Sequence, residues 1–138
     1  MATVQLRRDE PNDKRVRMIF SELRKTLGFV PNFYVALSNN PEVLDALWAA
    51  RKRLMAPGHL DDMTKQWLVF AALVLTNNQF SIYAHTARLK KKGISDGAIV
   101  EALGVLAYFS GCSAAANGLG LAQDHDPETL AALKSKKP

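Results

Sequence analysis

The chain has 138 residues, 48% hydrophobic and 22% charged, with a formal charge of +5 and one cysteine. That length suits a single domain with one core, and the composition excludes disorder along the whole chain. A lone cysteine excludes an intramolecular disulfide and any CxxC motif.

The opening MATVQLRRDEPND is polar and carries Pro11. Residues 1–12 are therefore expected to form a loosely ordered arm, with residues 13–138 as the domain. Behind the basic pair there is no apolar core of the kind a secretory signal carries. Asp13 is placed to cap a helix running to Leu27, with Phe20, Leu23 and Leu27 on one face and Gly28 as its left-handed stop. FVPNFY (29–34) reads as a turn in which Asn32 caps a short helix through Ser38. Asn40-Pro41 is a strong helix start, a capping side chain followed by proline at the first helical position. The helix it opens should reach Met55 and bury Leu44, Leu47, Trp48 and either Leu54 or Met55, before Pro57-Gly58 ends it.

Asp61 or Asp62 begins a further helix whose later part, WLVFAALVL, is apolar on nearly every side, as in a helix central to a core or covered by another subunit. This run, Trp67 to Leu75, is too short to span a bilayer. Asn78 to Lys92 leads to Gly93, and Ser95 caps a helix from Asp96 with Ile99, Leu103, Leu106 and Ala114 as core candidates. Its continuation, GCSAAANGLG, is rich in small residues and admits either close packing or a break near Gly111 or Gly118. Asp126-Pro127-Glu128 opens a last short helix. Nothing alternates with period two over any length, so the class is all-α, with about six to seven helices.

The basic residues fall in short scattered runs: Arg7-Arg8, Arg51 to Arg53, Lys90 to Lys92, and Lys134, Lys136 and Lys137. Each lies near a helix end or in a tail, where cations complement the carboxyl end of the helix dipole. A nucleic-acid surface would gather them on one face, so neither a nucleic acid nor a membrane is expected as partner, and cytoplasm is the expected location. His59 and His125 neighbour aspartates in GHLDD and QDHDPE, stretches that read first as helix-start loops. Without HExxH or a second cysteine, no metal and no cofactor are expected.

Residues 65–93, KQWLVFAALVLTNNQFSIYAHTARLKKKG, resemble the core of the carboxymuconolactone decarboxylase / alkyl hydroperoxidase D-like (AhpD-like) family. The active form of that core reads as a glutamate, eleven residues, then CxxCxxxH. Here the histidine falls on His85, the cysteine positions on Asn78 and Ser81, and the glutamate position on Gln66. LGFVPNFY (27–34) and AYFSGCSAAANGL (107–119) resemble two further family stretches, so the likeness spans residues 16–122. It implies an AhpD-like helical bundle assembling as a homo-oligomer, a trimer or hexamer. Helix 67–75 and the small-residue helix 104–120 give that a physical basis, because one small domain has limited capacity to bury both.

The resemblance also implies a peroxidase ancestry in which a glutamate–histidine relay activates a thiolate and a second thiol closes a disulfide. Such chemistry needs a thiolate of lowered pKa and a resolving thiol. Asn78 and Ser81 supply neither, and Gln66 cannot move a proton, so CxxC-dependent peroxide reduction is expected to be absent. The decarboxylase branch uses no cysteine pair and acts on small carboxylated lactones, but FVPNFY looks closer to the peroxidase-related branch, and the decarboxylase activity is not carried over.

Ser81 and His85 share one helical face. Two readings stand. His85 acts as a general acid or base on a small carboxylate or lactone, in decarboxylase- or isomerase-like chemistry, with Gln66, Asn78, Ser81 and Tyr83 lining a pocket. Alternatively the pocket is vestigial, His85 is satisfied by neighbouring amides, and the chain is a non-enzymatic oligomeric or interaction protein. A Ser81–His85 nucleophilic dyad lacks an orienting carboxylate. Phe80 either joins that pocket or simply packs. Cys112, amid small residues, is expected to be a small buried side chain.

Overall fold

Seven helices and no strand make up the described residues of the computed structural model, which are 2–6, 9, 11–121 and 127–135. The helices are α1 (Lys14–Leu27), α2 (Asn32–Leu37), α3 (Pro41–Met55), α4 (Asp62–Leu75), α5 (Gln79–Lys91), α6 (Asp96–Leu119) and α7 (Pro127–Ser135). The all-α expectation holds. The chain divides into two compact units, residues 1–62 and 63–138.

In the first unit α1 begins where Asp13 Oδ1 accepts from the backbone N–H groups of Arg15 and Val16, at 2.8 and 3.2 Å. It ends at Gly28, whose φ of +85° is the left-handed conformation expected there. Asn40 Oδ1 caps α3 by accepting from Val43 N–H at 3.2 Å. At α2 the expectation fails: Pro31 occupies the cap position and Asn32 is the first helical residue. The proline, at φ −60° and ψ 148°, already holds the extended conformation of a cap, so the helix starts one residue too early for Asn32 to serve. Val16, Ile19, Phe20, Leu23, Tyr34, Val35, Leu44 and Trp48 form one buried cluster, with Leu6 and Leu27 packed at its edge. Leu47, expected inside, is exposed, and of the alternatives Leu54 and Met55 it is Met55 that is partly buried while Leu54 is exposed. Leu44 and Trp48 stand one turn apart on the face turned to α1, and Leu47 falls outside that stripe.

The second unit has a smaller core. Phe70 of α4, Leu89 of α5 and Ile99 of α6 are buried together, with Met63, Trp67, Val74, Ile94, Ala102 and Leu106 around them. Ser95 Oγ caps α6 at 3.1 Å, as expected. The helix then runs unbroken through Gly111 and Gly118 to Leu119. Leu103 and Ala114, expected in the core, are exposed. So are Cys112, where a buried side chain was expected, and all of 107–119. Among the described residues, the second unit's core meets the helix as far as Leu106. At 24 residues and mean hydropathy 1.5, α6 is long and apolar enough by length and composition to cross a bilayer.

Candidate functional site

The motif positions gather at the start of α5 and on the buried face of α4. Asn78 is the N-cap of α5, its side-chain oxygen accepting from Ser81 N–H at 3.3 Å, and its own N–H donates to Leu73 O at 2.8 Å. The connecting turn forces Asn77 to a φ of 52°, a conformation asparagine tolerates better than most residues. Asn78 thus spends its side chain on the helix start and is exposed, while Ser81, in the first turn, is half-buried.

His85 follows one turn after Ser81 on the same face, half-buried, with Nδ1 itself inside the protein. One more turn on lies Leu89, in the core. On α4, Gln66 is a buried polar side chain only 6% exposed, one turn before Phe70. Phe70 and Leu89 belong to the same cluster, so Gln66 and His85 flank one core from two helices. The structure therefore brings Asn78, Ser81 and His85 into one row and sets Gln66 beside the same packing layer.

Tyr83 does not join them. Two residues from His85 it points to a different side of α5 and is 80% exposed, and Phe80 is exposed as well. His59 is exposed in the connection after α3, and His125 lies outside the described residues. Among the described residues no group of three His, Cys, Asp or Glu side chains is placed to hold a metal ion.

Two clefts in the first unit carried no sequence signal of their own. One of 340 Å³ is lined by Phe20, Arg24, Gly28, Phe29, Val30 and Val35. Another of 500 Å³ lies between the amino-terminal segment and Val16 and Ser38. FVPNFY was legible as a turn, but a wall of a cleft is made by what packs opposite, here Phe20 and Arg24 of α1.

Comparison with known proteins agrees with this architecture. The profile of the carboxymuconolactone decarboxylase family matches residues 41–124. The chain belongs to that family. No curated protein matches the sequence. Among solved structures, the crystal structure of the alkylhydroperoxidase AhpD core from Rhodospirillum rubrum ATCC 11170 is similar, at 27% identity and a TM-score of 0.82. The match covers 90% of this chain and 95% of that one. The helical bundle is therefore AhpD-like.

Proposed function

We propose that this chain is a divergent, thiol-independent member of its family that binds a small carboxylate or lactone beside His85 and moves a proton on it. The observation that supports this best is the placement of His85, half-buried with Nδ1 inside, in line with Ser81 and one turn before the buried Leu89. Histidine is the one side chain whose ordinary pKa lies near neutrality, so in a partly desolvated position it can both give and take a proton. Peroxidase ancestry comes from the likeness to an alkylhydroperoxidase. The chemistry does not follow, because Asn78 and Ser81 stand where the thiols would be and Cys112 is the chain's one cysteine. The reaction is decarboxylase- or isomerase-like, needs no cofactor, and belongs in the cytoplasm.

The test is a thermal-shift screen of small carboxylates, lactones and quinones against wild type and His85→Ala. A ligand bound only by the native state, at a hundred times its Kd, adds about 2.7 kcal/mol of stability. The expected result is a compound that raises the wild-type Tm and leaves His85→Ala unmoved. Equal stabilisation of both proteins, or none from any of these classes, removes the acid-base role and leaves a non-enzymatic protein with a vestigial pocket.

A further inference from the structure

Helices α1 and α3 run in the same direction. Arg15 near the start of α1 pairs with Glu42 near the start of α3 at 2.6 Å, and two turns further along α1 Glu22 pairs with Lys52 at 2.7 Å. Their carboxyl-terminal turns therefore lie at one end of the first unit and bring together Arg24, Lys25, Lys52 and Arg53. In the sequence these are two separate runs, each accounted for by the dipole of its own helix. Glu22 is the one carboxylate on the same turns, and it is held by Lys52 and by Trp48 Nε1. From Leu23 to Pro41 the chain has no acidic residue.

The cleft of 340 Å³ opens at this end. Phe20 and Val35, each 3% exposed, give it an apolar floor, with half-buried Val30 and exposed Phe29 beside them. Arg24 is the charged side chain that lines it, among the described residues. No carboxylate and no hydrogen-bond acceptor engages its guanidinium. The helix dipole accounts for a cation in this turn, but not for its place on an apolar cleft.

We propose that this cleft binds a single-chain amphiphile with one anionic head, a medium-chain fatty carboxylate. Its tail lies against Phe20, Phe29, Val30 and Val35, and its carboxylate meets the Arg24 guanidinium. The size fits one short chain, since the volume is near the lower end of the roughly 300–1,000 Å³ of ligand pockets. The charge fits a monoanion: one guanidinium presents a fork that a carboxylate matches with two parallel hydrogen bonds. Lys25 and Arg53 nearby add attraction at longer range. A polyanion such as a nucleic acid would use the cations and leave the apolar floor unmatched.

The test is isothermal titration of butanoate, octanoate and octanol, all below their micellar range, into wild type, Arg24→Gln, Phe29→Ala and His85→Ala. Arg24 and Phe29 are exposed, so neither variant disturbs the buried cluster, which circular dichroism checks. The expected result is saturable binding of one octanoate per chain, tighter than butanoate by up to about fourfold for each methylene buried. Arg24→Gln should weaken it by about fivefold, the upper end for an exposed ion pair. Phe29→Ala should weaken it as well, and His85→Ala should bind as wild type does. Octanoate should also move the methyl resonances of Val30 and Val35. No saturable binding at low millimolar concentration overturns the proposal, as does an Arg24→Gln that binds like wild type. So does octanol bound as tightly as octanoate, a comparison that needs no variant and decides the matter should either fail to fold. Octanoate binding lost in His85→Ala overturns it too, by moving the carboxylate to the other unit. The proposed function is judged on compounds lost in His85→Ala and kept in Arg24→Gln, so either reading can fail while the other stands.

Discussion

Trp48 is the most heavily engaged side chain of the first unit. It is 1% exposed, its ring stacks edge-on with Tyr34 at 5.6 Å, and its Nε1 donates to Glu22 Oε2 at 2.6 Å. Lys52 Nζ donates to the same oxygen at 2.7 Å, and Arg51 lies over the ring at 5.4 Å. Replacing Trp48 with alanine should cost about 3–5 kcal/mol in denaturant unfolding, the usual range for a buried aromatic. The smaller test is Glu22→Gln, which keeps an acceptor for Trp48 and removes the ion pair. Lys52 first, then Trp48, hold the Glu22 carboxyl below its ordinary value of 4.5. A depressed carboxylate stabilises the fold fully above that ordinary value and loses its contribution as pH falls through the lower, folded one. Because the pair is nearly half exposed, its worth is about 1 kcal/mol or less. Wild type should therefore melt slightly above Glu22→Gln near neutral pH, and the gap should close in strong acid. A gap that widens on acidification would contradict this assignment.

Element boundaries were legible where one residue's own chemistry makes them. Asp13, Asn40 and Ser95 each cap through a side-chain oxygen two or three residues from its donor, and Gly28 takes a conformation that side chains disfavour. Such signals need no tertiary partner. Which face a helix buries is another matter: Leu47 and Leu54 of α3 are as apolar as Leu44, and only the position of α1 decides among them. The motif row was legible for the same reason as the caps, since Asn78, Ser81 and His85 recur at helical spacing over the first two turns of α5. Tyr83 was not, because sequence proximity conceals a turn of the helix.

Two predictions belong to this scale. Gly28→Ala meets no steric neighbour but must hold a φ of +85°, so it should lower stability by about 1 kcal/mol in urea titration through backbone strain alone. The triple variant Gln66→Glu, Asn78→Cys, Ser81→Cys puts two thiols at the α5 amino terminus, where a helix end lowers thiol pKa. With a dithiol reductant it should consume an organic peroxide while wild type does not. A folded but inactive triple variant would mean that the row lacks the geometry such a thiol pair needs.

At the scale of the whole molecule the two units differ in how much they bury by themselves. Among the described residues the first holds a buried cluster of eight, the second one of three. Hydrophobic periodicity could show that α4 and α6 are apolar on several sides, but burial is a property of neighbours, and α6 is exposed over 107–119. This asymmetry has a measurable consequence in amide exchange. Protection reflects the free energy of the opening that exposes each amide. In α1 and α3, around Leu23, Leu44 and Trp48, opening disrupts a core built within one chain, so protection should not change with protein concentration. In 107–119 the helix is hydrogen-bonded but lacks side-chain cover, and a lone helix of that length is marginal in water. If a second copy supplies the cover, these amides gain protection as concentration rises, because binding that favours the closed state stabilises it by mass action. Exchange at two concentrations across the association range should therefore separate the units, with 107–119 slowing and α1 and α3 unchanged. Equal protection of 107–119 at both concentrations would mean that α6 is stable in isolation and that its exposed face has no partner of its own kind.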